Sequence, residues 1–237
     1  MFKEACKINR DSIYGVHGFS LISKNQINHS TGSGFTIAPG IVATVAHLVH
    51  VESNPLKPLH SKFEVIRSPD IGQSMENATI IAEDPIKDIA LLEITSPRSN
   101  KFLTLEPNKV PTGTSCGSLG FPLGGIIQTS KGDSFNLIER FQGSFISAFQ
   151  QNIHPSGEKF DLYEIDSLMY NGSSGCPGFL TNSNVIGMQS RSVLGNSPKI
   201  SNKHSSKKVA PDIQLSISLW VPSMDILKFA QHNGIII

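Results

Sequence analysis

Short apolar or alternating runs separated by turn-forming clusters restrict the fold of this chain more than any other feature of its sequence. Each run is of strand length, and every gap between the runs contains Gly, Pro, Asn, Asp or Ser. The runs lie at 13–23, 34–37, 41–45, 63–67, 78–82, 88–95, 101–105, 115–119, 144–149, 162–165, 178–180, 185–189 and 214–221. No helical periodicity alternates with them, as a parallel sheet would require, so the spacing predicts an all-β, antiparallel sandwich or barrel.

Composition excludes several other classes of protein. Charged residues make up 16% of the chain and hydrophobic residues 38%, with 20 Gly and 14 Pro. That mixture has too little charge and too many turn formers for a coiled coil, and it argues against a disordered chain. The 20 Lys and Arg residues nearly balance the 19 Asp and Glu residues, so no overall basic field exists and we expect no nucleic-acid partner.

The cysteines and the N-terminus bear on compartment and cofactors. Cys6, Cys116 and Cys176 form no CxxC pair, and an odd, sparse set predicts neither a disulfide framework nor a zinc site. No signal-peptide pattern opens the sequence, and no stretch approaches the roughly 18 consecutive apolar residues of a spanning helix. We therefore expect a cytoplasmic protein with no membrane span, metal or organic cofactor, although export by another route stays open.

Two lobes and a closing helix are expected within a single domain. The polar, Pro-bearing stretch 96–113 is typical of a crossing between lobes. Ser223 can cap a terminal helix, and Gly234 follows its last turn. The basic segment 195–212 is typical of a mobile surface loop. The expected bounds are about 10–100 for the first lobe, about 112–222 for the second and about 223–233 for the helix.

Three segments each present a side chain suited to acyl transfer. In GSGFTIAPGIVATVAHLV, a Gly-rich turn and two short strands deliver His47 at a strand end. In DIALLEI, Asp88 begins an apolar strand, and in YNGSSGCPGF, Ser174 lies in a tight turn. Glycines at 172 and 175 allow consecutive N–H groups to face one side of that turn, as an oxyanion hole requires.

The order of these residues suits a nucleophilic mechanism. A serine hydroxyl needs a base to take its proton, and the base needs a carboxylate that holds its tautomer and stabilises the imidazolium. His47 and Asp88 fall on the first lobe and Ser174 on the second, so the site should lie between the lobes. Each residue alone would be interpreted as structural. All three in one order, with matching flanks, predict a triad.

The flanking segments resemble a known family. GSGFTI, TVAHLV, DIALLEI, GSLGFPLG, IDSLMYNGSSGCPGFL, VIGMQS and LWVPSMDILKF occur in that order. From about residue 14 to 230 the chain resembles a trypsin-like (chymotrypsin-fold) serine protease, most of all the HtrA/Deg-type branch. The resemblance implies two antiparallel β-barrels with a C-terminal α-helix. It also implies that His47 is the general base, Asp88 its orienting carboxylate and Ser174 the nucleophile.

The same resemblance implies which groups meet the substrate. The oxyanion hole is expected from the backbone N–H groups of Gly172, Ser173 and Ser174. The primary pocket is expected to be lined by Leu168, Gln189, Ser190 and Arg191, with Met188 and the segment 218–221. Because no acidic group falls at the base of that pocket, we expect a small or apolar residue before the cleaved bond rather than Lys or Arg.

The chain departs from the family pattern in three places. Cys176 stands two residues beyond Ser174, where the pattern has Gly. Ser173 occupies the place where digestive enzymes carry an Asp that receives a new N-terminal ammonium, so activation by N-terminal processing is not expected. No PDZ domain follows the closing helix, so regulation through a fused PDZ domain is not expected either.

Alternative interpretations were weighed against the triad. The segment 113–117, GTSCG, matches the G-x-S-x-G nucleophile elbow, but the Pro- and Gly-interrupted run after it does not predict the helix that an elbow needs. Cys176 is expected to be a small buried residue and His50 a surface residue. The sequence predicts a serine endopeptidase acting on proteins or peptides. The alternative is a latent or silent protease fold that binds peptides without cutting them.

Overall fold

The structure is a computed structural model that describes residues 1–23, 26–67, 74–129, 132–195 and 213–237. Its helices are α1 (Lys3–Asn9), α2 (Ala46–Val49) and α3 (Ser223–His232), with 3₁₀ turns at Arg10–Ser12 and Val51–Ser53. Its strands are β1 (Ile13–Ser23), β2 (Gln26–Ala38), β3 (Ile41–Thr44), β4 (Lys62–Arg67), β5 (Met75–Asp84), β6 (Ile89–Ile94), β7 (Ser115–Gly120), β8 (Gly125–Thr129), β9 (Gly132–Asn136), β10 (Arg140–Ile153), β11 (Lys159–Ile165), β12 (Pro177–Phe179), β13 (Val185–Gly195) and β14 (Ile213–Pro222).

The strands form two closed antiparallel barrels, which confirms the all-β fold class with a C-terminal helix. The first barrel has the order β1-β2-β3-β6-β5-β4, and the second has the order β10-β11-β14-β13-β12-β7. Strands β8 and β9 form a separate hairpin. Each barrel closes because its terminal strands pair, β1 with β4 in the first and β10 with β7 in the second.

In the first barrel, the neighbouring strands β3 and β6 are buried on both of their faces. Residues 89–92 in β6 are fully buried, and successive side chains of a strand point to opposite faces. This part of β6 is therefore covered on both sides, which explains why residues 89–92 are continuously apolar rather than alternating. Strand β3, its neighbour, is buried at every position.

The second barrel is built around the single tryptophan. Trp220 is fully buried beside Cys116, Tyr163 and Ile186. The Tyr163 hydroxyl accepts a hydrogen bond of 2.8 Å from the Val110 amide, so the polar end of this buried ring is satisfied. This core fixes β13 and β14, the strands next to the turn that carries Ser174.

An extended segment joins the barrels between β6 and β7. The Leu103 amide donates to the Thr36 carbonyl of the first barrel at 2.8 Å, and the Glu106 amide donates to the Val185 carbonyl of the second barrel at 2.7 Å. The apolar run 101–105, which the sequence pattern predicts as a strand, does not form one. It pairs only at Leu105, through an isolated bridge to Val185. The basic segment, from residue 196 to 212, lies outside the described residues.

The helices differ from expectation in two ways. Helix α3 begins at Ser223. The Ser223 hydroxyl donates to the Glu106 carbonyl at 2.6 Å and makes no hydrogen bond to the first turn of the helix, so the predicted capping role is wrong. Helix α1 was not predicted. Its flank docks on the second barrel, where the Phe2 ring lies 5.4 Å from that of Phe141 and Arg10 pairs with Glu139. Among the described helices, none combines the length and apolarity needed to cross a membrane.

Candidate active site

His47 lies in α2, the single helical turn that follows β3, rather than at a strand end. Its ring Nδ1 is 3.1 Å and 3.0 Å from the two carboxylate oxygens of Asp88. Its backbone amide also donates to Asp88 Oδ1 at 2.9 Å. The carboxylate therefore holds both the ring and the main chain of His47, which leaves Nε2 directed away from Asp88.

Asp88 immediately precedes β6 and is only 3% exposed. Its second oxygen accepts a hydrogen bond of 2.5 Å from the Ser190 hydroxyl of the second barrel. Burial alone would raise the pKa of Asp88, but hydrogen bonds from His47, the attraction of its ring and the Ser190 hydroxyl outweigh burial and lower the pKa below its ordinary value. The carboxylate is therefore ionised at neutral pH, as an orienting group for an imidazolium must be.

Ser174 lies in the turn between β11 and β12, in the second barrel. Its Oγ is 3.1 Å from His47 Nε2, which completes a hydrogen-bonded row from Asp88 through His47 to Ser174. The turn depends on Gly175, with φ of 85°. A Cβ at Gly175 would lie 1.8 Å from the Ser33 carbonyl oxygen, so only glycine lets the two barrels approach this closely.

Backbone N–H groups flank the Ser174 hydroxyl, but they do not all behave as expected. The Ser173 amide donates to the Tyr170 carbonyl at 2.9 Å, so this N–H belongs to the turn and is not available to an oxyanion. The Gly172 and Ser174 amides donate to no acceptor among the described residues. Of the three predicted oxyanion donors, the Gly172 and Ser174 amides therefore stay available, and the Ser173 amide does not.

An open cleft of about 670 Å³ adjoins His47 and Ser174. Its lining includes Ser190 and Arg191, as expected, together with Met169, Tyr170 and Ser192, which sequence reasoning did not single out. Leu168 is not part of this lining. Met169, the next residue in the same loop, lines the cleft in its place.

Gln189 lies outside the cleft, contrary to expectation. It is 1% exposed, and its side-chain amide donates to the Ser118 hydroxyl at 3.2 Å. The backbone of Gln189 instead bonds to the turn that carries Ser174, since the Gly175 amide donates to the Gln189 carbonyl at 2.8 Å. The segment 218–221 is likewise absent from the lining, because Trp220 belongs to the core of the second barrel.

Three other side chains near the site have structural roles. Cys176 is buried, and burial raises its pKa to about 11, so the thiol is protonated and unsuited to attack at neutral pH. His50 is buried and its Nε2 lies 2.6 Å from Glu83, so the expected surface position is wrong. Ser115 begins β7 with no helix after it. No group of His, Cys, Asp and Glu among the described residues is arranged to hold a metal ion.

Comparison with known proteins gives a family match and a likeness of fold to solved structures. The family model described as trypsin-like peptidase domain matches residues 32–188, a range that contains His47, Asp88 and Ser174. The Rv3671c protease from M. tuberculosis, solved in its active form, matches with a TM-score of 0.66 and 18% identity, over 98% of this chain and 85% of that chain. At this identity the likeness is one of fold alone. No curated protein matches the sequence.

Proposed function

Because this chain belongs to the trypsin-like peptidase domain family, we propose that it is a serine endopeptidase that cleaves peptide bonds through an acyl-enzyme. The row of contacts Asp88–His47–Ser174 carries the proposal, with 3.0 Å between Asp88 and His47 Nδ1 and 3.1 Å between His47 Nε2 and Ser174 Oγ. These are the distances at which an imidazole can take a hydroxyl proton while a carboxylate holds its other nitrogen. The finer resemblance to the HtrA/Deg-type branch stays a prediction.

The proposed reaction has two steps. Ser174 Oγ attacks the peptide carbonyl carbon as its proton passes to His47 Nε2, and the carbonyl oxygen becomes an oxyanion near the Gly172 and Ser174 amides. His47 then gives that proton to the leaving amine, which departs and leaves an ester on Ser174. A water molecule then attacks the ester carbonyl carbon as His47 Nε2 takes one of its protons. The Ser174 oxygen leaves and takes that proton from His47, which releases the acid product and restores the free hydroxyl.

The cleft supports a protein or peptide substrate with an uncharged side chain next to the cleaved bond. None of the described residues that line the cleft is acidic, whereas Arg191 supplies a cation. A Lys or Arg side chain would thus enter without a carboxylate partner. A small or apolar side chain can contact Met169 and Leu48 instead.

The hydrogen bonds of the nucleophile turn favour a competent site over a latent one. The Ser173 amide and hydroxyl both bond to Tyr170, and the Cys176 amide donates to the Ser173 carbonyl at 2.9 Å. A turn closed in this way can keep the Gly172 and Ser174 amides beside the hydroxyl. A peptide-binding module without activity remains the alternative that the experiment must separate.

Labelling with a fluorophosphonate, followed by intact-mass analysis, tests the proposal. The wild-type protein should gain one adduct, Ser174→Ala should gain none, and His47→Ala should react far more slowly. Ser192→Ala, which removes a hydroxyl from the same cleft, is the matched control and should keep the adduct. An unlabelled wild-type protein that still binds peptides would support the silent module instead.

A further inference from the structure

Ser33 reaches from the first barrel into the nucleophile turn of the second. It lies in β2, is fully buried, and directs its amide and its hydroxyl to the second barrel. Its amide donates to the Ser174 carbonyl at 2.7 Å, and its hydroxyl donates to the Gly172 carbonyl at 3.0 Å. One residue of the first barrel thus holds the carbonyl groups on both sides of the Ser174 amide.

The planarity of the peptide bond makes these contacts relevant to the oxyanion. In a trans peptide the C=O and the next N–H point in opposite directions, so a hydrogen bond to the carbonyl also orients the N–H. The Gly172–Ser173 peptide lies between the two peptides that carry the Gly172 and Ser174 amides. Gly172 has φ of 86°, and without a Cβ it resists rotation of the adjacent peptides very little. Hydrogen bonds must therefore supply the restraint.

A second path runs from the same hydroxyl to the Gly172 amide. Ser33 Oγ accepts a hydrogen bond of 3.1 Å from the Phe121 amide, which anchors the loop 121–124. In that loop the Leu123 amide donates to the Asn171 carbonyl at 2.5 Å. That carbonyl shares a peptide with the Gly172 N–H. The Ser33 hydroxyl is therefore connected, directly or through one loop, to two successive peptides of the turn.

We propose that Ser33 is a positioning residue that holds the oxyanion-binding amides of Gly172 and Ser174 in place from across the barrel interface. The inference rests on the proposed serine peptidase function for its catalytic consequence. Ser33 touches neither substrate nor the reacting atoms. Its hydroxyl acts through the Gly172 carbonyl, so its loss should weaken binding of the transition state more than binding of the substrate.

The test compares Ser33→Ala with Thr44→Val. Thr44 Oγ1 donates to the Ser33 carbonyl at 2.7 Å in the same buried interface, so its replacement also removes a buried hydrogen bond but leaves the Gly172 carbonyl bonded. The probes are a fluorogenic peptide selected with the wild-type protein, its aldehyde, which forms a tetrahedral adduct, and its alcohol, which cannot. Thermal unfolding of each variant establishes that it is folded.

The expected result is a selective loss in Ser33→Ala. Its kcat should fall about 10- to 100-fold with KM within about threefold of wild type, because a displaced donor costs less than the roughly 100- to 1000-fold of a deleted one. Affinity for the aldehyde should fall in parallel, while affinity for the alcohol stays unchanged. Thr44→Val should lose thermal stability but keep both kcat and the aldehyde affinity.

Equal kcat values for Ser33→Ala, Thr44→Val and wild type would overturn the inference and leave Ser33 as a structural contact. Crystal structures of wild type and Ser33→Ala supply a readout that needs no turnover. The inference expects the Gly172–Ser173 or Asn171–Gly172 peptide to turn in the variant, and an unchanged turn would contradict it. A wild-type protein that neither cleaves nor labels would refute the proposed function, and the two crystal structures would still decide on Ser33.

Discussion

Two serine hydroxyls cross the barrel interface in opposite directions, and they hold different kinds of group. Ser190 of the second barrel donates to the carboxylate of Asp88 in the first at 2.5 Å. Ser33 of the first barrel donates to the neutral carbonyl of Gly172 in the second at 3.0 Å. Hydrogen bonds to charged groups contribute about 1.5–3 kcal/mol, against about 0.5–1.5 kcal/mol for neutral pairs. The side of the site that carries Asp88 and His47 is thus held by a hydrogen bond to a charged group. The side that carries Ser174 is held by hydrogen bonds to neutral peptide groups.

The largest expected effect is on the charged side. Asp88→Asn keeps the shape of the side chain but removes the charge that stabilises the imidazolium and offers an amide in place of an acceptor. We expect kcat/KM at pH 7 to fall on the order of 10³- to 10⁴-fold, measured with the fluorogenic peptide. Asp166→Asn, at an exposed position eight residues before Ser174, should leave the rate unchanged. If kcat/KM of Asp88→Asn fell less than about tenfold, the expected dependence on the Asp88 charge would be wrong.

Ser190→Ala tests the contact that mirrors Ser33. The hydroxyl lowers the pKa of Asp88, so the variant should have a higher Asp88 pKa. A carboxylate with a lowered pKa stabilises the fold above the pKa of the unfolded chain and loses this effect as pH falls. We expect urea unfolding at pH 7 to show a loss of about 1–3 kcal/mol and kcat/KM to fall about tenfold. Ser192→Ala should be as stable as wild type. A Ser190→Ala variant with wild-type stability would show that the hydrogen bond to Asp88 contributes nothing to the free energy of unfolding.

Low pH should destabilise the first barrel before it destabilises the second. Burial, together with nearby His17, His50 and His29, lowers the pKa of His60 to about 4. Between about pH 6.5 and 4 the unfolded chain would bind a proton that the folded first barrel does not, so the free energy of unfolding should fall as pH decreases, by about 1–3 kcal/mol. Hydrogen exchange of β1 and β4 should accelerate before the fluorescence of Trp220, the single tryptophan, reports any change in the second barrel.

His60→Gln provides the check on this pH dependence. Its free energy of unfolding should vary less between pH 7 and pH 4.5 than that of wild type. His232→Gln, at an exposed position in α3, should retain the full dependence. Equal slopes for wild type and His60→Gln would assign the acid sensitivity to another group.

The smallest expected effect concerns Arg191, the neighbour of Ser190. Its Nε donates to the Ser190 hydroxyl at 3.3 Å, and its exposed side chain lines the cleft. We expect peptides with Asp near the cleaved bond to be cut about fivefold faster than the Lys versions, with the ratio shrinking at high salt. Arg191→Gln should abolish the ratio, and Lys109→Gln, outside the cleft, should preserve it. A ratio that survives in Arg191→Gln would locate the charge preference elsewhere.

Much of the fold and the identity of the reactive residues could be predicted from local pattern. The strands next to His47 and Asp88, β3 and β6, are short and mainly apolar runs, and such runs are visible without knowledge of their partners. His47, Asp88 and Ser174 stood out because their flanks are as distinctive as the residues. The structure brings these three together, and their catalytic role is the subject of the labelling experiment.

The tertiary structure alone decided the contacts between segments distant in sequence. Ser33 and Ser190 look like ordinary strand serines, because nothing in their neighbourhoods shows that Gly172 and Asp88 lie opposite them. Helix α1 is short and weak on its own, so it forms where Phe2 and Arg10 meet the second barrel. The sequence by itself determined most of the strands, though not β8 and β9, and it picked out the side chains that are candidates for the reaction. Closure and docking of the barrels decided that the hydroxyls of Ser33 and Ser190 bond to Gly172 and Asp88. Those hydrogen bonds depend on distances between the barrels, which local periodicity does not encode.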